Sequence, residues 1–399
     1  MNENRKTKVT ILTPVHVGNG VNVEPVCYLC KNGVASRYAI EDLLSSLPAE
    51  KLLDPANLNR LARGSDSKRD FYSIFNTRSV PEAKPLYCLD WYEPETLQAY
   101  LSKSKGNRKA GSLEVAEQVK ALNLPIIPGS TLKGAIECAF KYTLLKKNYG
   151  KVSKNLLTFC QSVKKTTPSL FYLQLIYGLD QKQASKYDDF VRDLYGCLLV
   201  QDLSFRSMEL LAVDRYYYDP AKTEYSCGLS EHISSGEVAL TEFPFRIDEF
   251  RKELLVKKYP MDAIQRELIE SFCSKEKLIE AIRTYSTDMI ENDDLPPDLD
   301  LSGLGKVRML AEQQNTKKNS FVMRLGQNTT YFFKTVSRLF YLNDRELFEE
   351  YFGQVFSPAS MKGKNAPDPT DFPRTFSFAV TPTDLWATGF VLFEYAHTN

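Results

Sequence analysis

The most constraining stretch of this chain is Pro125-Ile126-Ile127-Pro128-Gly129-Ser130-Thr131-Leu132-Lys133-Gly134-Ala135-Ile136, where a stiff apolar approach meets a tight turn and a helix start. Proline keeps the residue before it extended, Gly129 permits a sharp turn, and the Ser130 hydroxyl can cap the orphan amides of the helix that follows. Leu132, Ala135/Ile136, Ala139/Phe140 and Thr143/Leu144 recur at the 3.6-residue period, so one face of that helix must lie on a core. Lys133 runs against the pattern. Near the third helical position a cation opposes the backbone dipole by up to roughly 1 kcal/mol, where Glu or Gln would complete a capping box. Two readings follow. The ammonium snorkels into water, or a phosphate held by free amides, the Ser130 and Thr131 hydroxyls and Lys133 reverses the sign of the argument.

A chain of 399 residues, 43% of them hydrophobic, has room for two or three domains with real cores, so disorder is not its default. A formal net charge of +1 neither favours nor excludes RNA, because a balanced protein can still hold a basic groove on one face. Eight cysteines are scattered, no N-terminal stretch has the layout of a secretory signal, and no apolar run approaches the ~18 residues of a membrane span. The expectation is a reduced, cytoplasmic protein with no membrane partner. Only Cys27 and Cys30 have metal-like spacing, and in a strand residues three apart point to opposite faces and do not converge on zinc. Neither metal nor cofactor is expected.

Along the chain, Thr7 to Leu12 alternates as a strand, and Thr13-Pro14-Val15-His16-Val17-Gly18-Asn19-Gly20 reads as a turn-rich loop whose glycines allow close approach to a ligand. Pro25 to Ile40 is strand, Asn32-Gly33, strand, a hairpin signal, and a short helix over Glu41 to Leu47 follows. The polar runs 64–70 and 103–109 read as solvated loops, the second basic enough for phosphate. Helical periodicity covers residues 151–195. Then Cys197 to Leu203 and Glu209 to Tyr218 look like adjacent strands, with a third over Glu237 to Phe245. Ile247 to Tyr259 and Met261 to Thr287 read as helices broken by Pro260, followed by an acidic linker at 292–298. Phe321 to Thr335 reads as strand, turn and helix, with Arg324, Asn328, Thr329, Thr330 and Lys334 near the helix start. Tyr331, Phe332 and Phe333 there either stack bases or belong to a core. Thr375 to Val380 and Gly389 to Tyr395 are strand-like.

Thr13-Pro14-Val15-His16-Val17-Gly18, the stretch Ile127-Pro128-Gly129-Ser130-Thr131-Leu132-Lys133-Gly134, then Arg324-Leu325-Gly326, Pro373-Arg374-Thr375 and Gly389-Phe390-Val391-Leu392 together resemble the RAMP proteins of CRISPR effector complexes. Their order and the chain length are most similar to the fifth subunits of type III-A (Csm) complexes. The resemblance spans most of the chain, and the stretch Ile127 to Gly134 is its most specific piece. It implies an α+β fold of two ferredoxin-like, RRM-related RAMP domains: residues 1–245, with a helical insertion around 141–195, and residues 246–399. It implies a non-catalytic RNA-binding subunit that caps the complex at the crRNA 3′ end and is needed for crRNA maturation in antiviral defence. The implied partners are the single-stranded 3′ portion of crRNA, other Csm subunits and recruited host nucleases. The residues expected on RNA are His16, Gly18, Asn19, Gly20, Ser130, Thr131, Lys133, Gly134, Arg324, Gly326, Asn328, Thr329 and Lys334. The family's C-terminal glycine-rich loop keeps one glycine here, with Asn328 able to adopt a left-handed turn.

The alternative is a metal-independent repeat-RNA endoribonuclease of the RAMP type, with His16, Lys133 and a tyrosine as acid and base. Only three histidines, two of them isolated at His232 and His397, argue against it. A scaffold that touches only protein neighbours is the third reading.

Overall fold

The computed structural model describes residues 6–24, 27–45, 48–55, 84–91, 114–162, 170–217, 228–291, 300–314, 317, 319–329, 331–351, 375–381 and 384–395. The strand Thr7–Ile11 buries Val9 and Ile11 and turns Lys8 outward, the alternation its sequence dictates. It lies inside a four-stranded antiparallel sheet in the order Val238–Thr241, Thr7–Ile11, Phe390–Glu394, Ser320–Arg324. Phe321 stacks on its cross-strand partner Phe393 at 4.7 Å between ring centroids. A second, nine-stranded mixed sheet runs Gly18–Val23, Val115–Gln118, Gly228–Ile233, Met208–Tyr217, Tyr87–Trp91, Val34–Arg37, Tyr28–Lys31, and Thr375–Val380 joins it beside Met208–Tyr217. The Asn32-Gly33 hairpin forms as expected, with φ of 54° and 77° at its two central residues. Each sheet draws strands from both sides of residue 245, so ladders such as Thr7–Ile11 with Phe390–Glu394 cross the expected domain division.

Helices cover the four-stranded sheet. Gly129–Lys147 packs on Lys275–Glu291, with Tyr142 edge-on to Tyr285 at 5.1 Å, and meets Ala263–Phe272 through Phe140, edge-on to Phe272 at 5.0 Å. The Tyr142 hydroxyl donates to Asp288 at 2.8 Å, and Tyr285 donates to the Phe332 carbonyl at 3.2 Å. The helical layer expected from residue 141 to 195 is Gly129–Lys147, Tyr149–Ser162, Phe171–Tyr177, Gln181–Ser185 and Asp188–Gly196. No helix among the described residues is long and apolar enough to cross a membrane.

Several expectations are corrected. Residues 13–20 are not one loop: Gly18–Val23 is a strand paired antiparallel to Val115–Gln118, because its backbone finds ladder partners that no local pattern announces. Cys197 to Leu203 divides into Leu198–Val200, which pairs with Phe245–Ile247, and Leu203–Ser204, which pairs with Leu124–Ile127, so neither neighbours Met208–Tyr217. The Met261 to Thr287 helix breaks into Ala263–Phe272 and Lys275–Glu291, with Ser274 accepting the Lys277 amide at 3.3 Å. The runs 64–70, 103–109 and 292–298 lie outside the described residues.

Gly129 opens its helix against a neighbouring backbone: a Cβ there would sit 2.8 Å from the Val200 carbonyl oxygen, whereas one at Gly134 meets nothing within 4 Å. Gly129→Ala should therefore lower unfolding free energy by ~1–3 kcal/mol. Gly134→Ala, in a helix interior, should raise it by ~0.5–1 kcal/mol. Urea denaturation reads both, and equal midpoints for the two variants would contradict this packing.

Candidate functional site

The helix Gly129–Lys147 begins one residue earlier than its sequence suggests. Pro128 is its N-cap and provides no side-chain cap, so Ser130 is an exposed first-turn residue and not the cap. The Gly129 amide donates instead to Asp202 Oδ1 at 2.7 Å, a carboxylate delivered by the turn between Leu198–Val200 and Leu203–Ser204. A protein anion thus already meets the positive helix end. Lys133 falls at the fifth helical position, beyond the turn where the dipole opposes it most. It is half-buried and contributes, with Lys141, an attraction that offsets the burial raising the Glu137 carboxyl above its usual range.

The second motif forms strand and turn as expected, but not the expected helix. Ser320–Arg324 ends in a turn with φ of 94° at Gly326 and 61° at Asn328, and only a 3-10 turn, Tyr331–Lys334, follows. Two left-handed residues separated by Gln327 break helical continuation. Gly326 is obligatory on two counts, its positive φ and the His16 carbonyl that any Cβ would strike. Gln327 donates its amide to the same His16 oxygen at 2.7 Å, Leu325 donates to the Gly389 carbonyl at 2.7 Å, and Gly389 donates to the Pro14 carbonyl at 2.9 Å. Three segments, residues 14–16, 325–327 and 389, are stitched backbone to backbone.

Beside this seam lies a cleft of about 360 Å³. Of the residues expected on RNA, Gly18, Thr131, Gly134, Arg324, Gly326, Thr329 and Lys334 line it. Arg324 is 7% exposed, donates from Nε to the Thr388 carbonyl at 2.8 Å, and has its guanidinium carbon 4.5 Å from the Phe333 ring centroid and 4.9 Å from that of Phe390. Lys334 opens to solvent and forms no ion pair among the described residues. Its ammonium is pushed below the usual lysine range, chiefly by the surrounding protein and also by the Arg324 charge. Lys334 thus stands at the mouth with a buried like charge behind it.

The other expected residues stand elsewhere. His16 is 1% exposed, and its Nδ1 lies 2.6 Å from the Glu231 carbonyl oxygen, so it braces the seam and does not face a ligand. Asn19 is exposed and donates to Glu117 at 2.6 Å, Gly20 is exposed in the strand, and Asn328 forms the turn with its carbonyl accepting from Thr388 at 3.4 Å. Phe332 and Phe333 are 3% and 9% exposed, so they are core rather than base-stacking platforms. Thr330 lies outside the described residues.

Sequence reasoning missed the polar cluster under the Gly18 strand. Glu231, fully buried, accepts from the Tyr28 and Tyr87 hydroxyls at 2.8 Å each, from the Gln118 amide at 2.9 Å and from Lys120 at 2.6 Å. Four donors offset the desolvation of that carboxylate. Burial, more than the neighbouring carboxylate, raises both phenols above their usual range. The available signal was a run of polar residues, Ser230-Glu231-His232, held between Leu229 and Ile233 in a strand.

The His16 and His232 rings lie 5.4 Å apart, and burial lowers both: His16 below 6.5, His232 to about 3. Folded values below the unfolded one mean that protons favour the unfolded chain. The stability these groups contribute is present above 6.5 and is lost as pH falls toward the folded values. The urea midpoint should fall between about pH 7 and about pH 5, each histidine adding up to about 1.4 kcal/mol per pH unit. His232→Gln should flatten that slope, and an unaltered slope would remove His232 as its source.

A family model described as the RAMP superfamily matches residues 8–294. A chain of a cryo-EM structure of a Csm–crRNA–target RNA ternary complex from a type III-A CRISPR-Cas system is similar at 16% identity, with a TM-score of 0.61, over 98% of this chain and 100% of that one. The crystal structure of T. onnurineus Csm5 is similar at 16% identity, with a TM-score of 0.51, over 85% of this chain and 95% of that one. No curated protein matches.

Proposed function

The chain belongs to the RAMP superfamily, and from that premise we propose that it is a crRNA-binding subunit of a type III-A (Csm) effector complex, capping the complex at the crRNA 3′ end and needed for crRNA maturation. Other Csm subunits are then its protein neighbours, and a nuclease recruited for trimming would dock on it. The two-unit, ferredoxin-like organisation, residues 1–245 and 246–399, is part of the same reading.

One observation carries the reading. Motifs near residues 18, 131 and 324–334 converge on one cleft that pairs two cations with hydroxyls and closely approaching glycine backbone. Those groups suit a single-stranded RNA backbone, whose phosphates and sugars are the same whatever spacer the guide carries. The trio required by the endonuclease alternative finds no such support, since His16 is buried in the seam and Lys133 does not line the cleft. Binding without chemistry is the simpler use of these residues.

The test is fluorescence anisotropy of the full-length chain with labelled single-stranded RNA over a range of salt. Lys334→Met should weaken binding by a similar factor for unrelated sequences and reduce the slope of log affinity against log salt by roughly one. Lys258→Met is the control, a surface lysine paired with Asp193 at 2.7 Å and away from the cleft. If Lys334→Met binds like the parent at every salt concentration, the cleft is not the RNA site.

A further inference from the structure

The cleft contains a hydroxyl whose hydrogen-bonding sense is already decided. Thr329 Oγ1 donates to the Gly326 carbonyl at 3.2 Å, inside the same turn. Its methyl is held in place: a Cβ built on Gly389 would lie 2.9 Å from Thr329 Cγ2, so the methyl occupies the space that Gly389 leaves open. With proton and methyl both committed, the Thr329 oxygen can offer only lone pairs. A phosphate oxygen carries no proton at neutral pH and would meet that oxygen acceptor to acceptor. Thr131 differs. Its hydroxyl makes no hydrogen bond among the described residues, so it can donate to a phosphate beside Lys334.

On the reading that this cleft holds RNA, we infer that Thr329 is a sugar-selecting residue: it accepts a hydrogen bond from the ribose 2′-hydroxyl of the nucleotide whose phosphate lies between Lys334 and Thr131. The 2′-hydroxyl is the donor that RNA has and DNA lacks. A deoxynucleotide leaves the Thr329 lone pairs facing an apolar C2′, and the cations alone cannot tell the two chains apart. Discrimination therefore rests on Thr329 and overall affinity on the charges. Base identity plays no part, which suits a guide whose sequence varies.

Sugar-substituted oligonucleotides test this by competition on the full-length chain at fixed salt. The parent protein should bind an RNA more tightly than the DNA of the same sequence, by roughly fivefold for one neutral hydrogen bond. Thr329→Val, near in shape and without the hydroxyl, should lose that preference by weakening RNA and leaving DNA unchanged, and Thr329→Ser should keep it. Thermal unfolding of both variants shows whether the turn has survived; if Thr329→Val unfolds early, a single 2′-deoxy or 2′-O-methyl scan along the RNA on the parent protein replaces it, with one position expected to carry the loss. An RNA-to-DNA ratio equal in parent and Thr329→Val, a scan with no sensitive position, or a preference that follows the base and not the sugar overturns the inference while leaving RNA binding intact. Failure of the parent protein to bind either polymer overturns the RNA-binding reading itself.

Discussion

The structure depends on a close approach of backbones that only glycine permits. Gly326 lies where a side chain would strike the His16 carbonyl, and a Cβ at Gly389 would sit 2.5 Å from the Leu325 carbonyl oxygen. Because both have left-handed φ, 94° and 99°, they cost little conformationally where another residue would be strained as well as crowded. The result is a hydrogen-bonded seam of residues 13–16, 325–327 and 389. The cleft exists because the seam brings the Arg324 turn within reach of the Gly129–Lys147 helix.

Electrostatics then divides the molecule into two regimes. Under the Gly18 strand, Glu231, Lys120 and two tyrosines satisfy one another in a closed network, the arrangement that makes a buried charge tolerable. At the cleft, Lys334 and Arg324 stand together and raise the local potential. The buried network holds the strand carrying Gly18 in place, and Lys334, which makes no ion pair among the described residues, is the charge available to an anion. The near-neutral total conceals both.

Much of the local structure was legible because it rests on short-range rules. The Asn32-Gly33 hairpin, the strand Thr7–Ile11 and the apolar stripe of the Gly129–Lys147 helix follow from turn chemistry and periodicity. Errors arose where a distant partner outcompeted the local preference. Ser130 is a good cap by type, but Asp202 arrives from another turn and takes the Gly129 amide. His16 is polar and glycine-flanked, the pattern of a ligand loop, yet Glu231 and Gln327 enclose it. For Phe332 and Phe333 the sequence left base stacking and core both open; they belong to the core, each under a buried arginine, Arg338 over Phe332 and Arg324 over Phe333.

By itself the sequence determined the residue types, the turn at Pro128-Gly129, the left-handed capacity of Asn328 and the family resemblance, all of them properties of a few neighbouring residues. Only the tertiary structure decided which polar groups share a cleft. Thr131, Arg324, Thr329 and Lys334 meet there, whereas Lys133 and His16, the residues that looked most like a site, do not line it. The physical reason is that a site is an intersection of surfaces. Its membership depends on strand register and on where backbones may touch, and no window of sequence contains either.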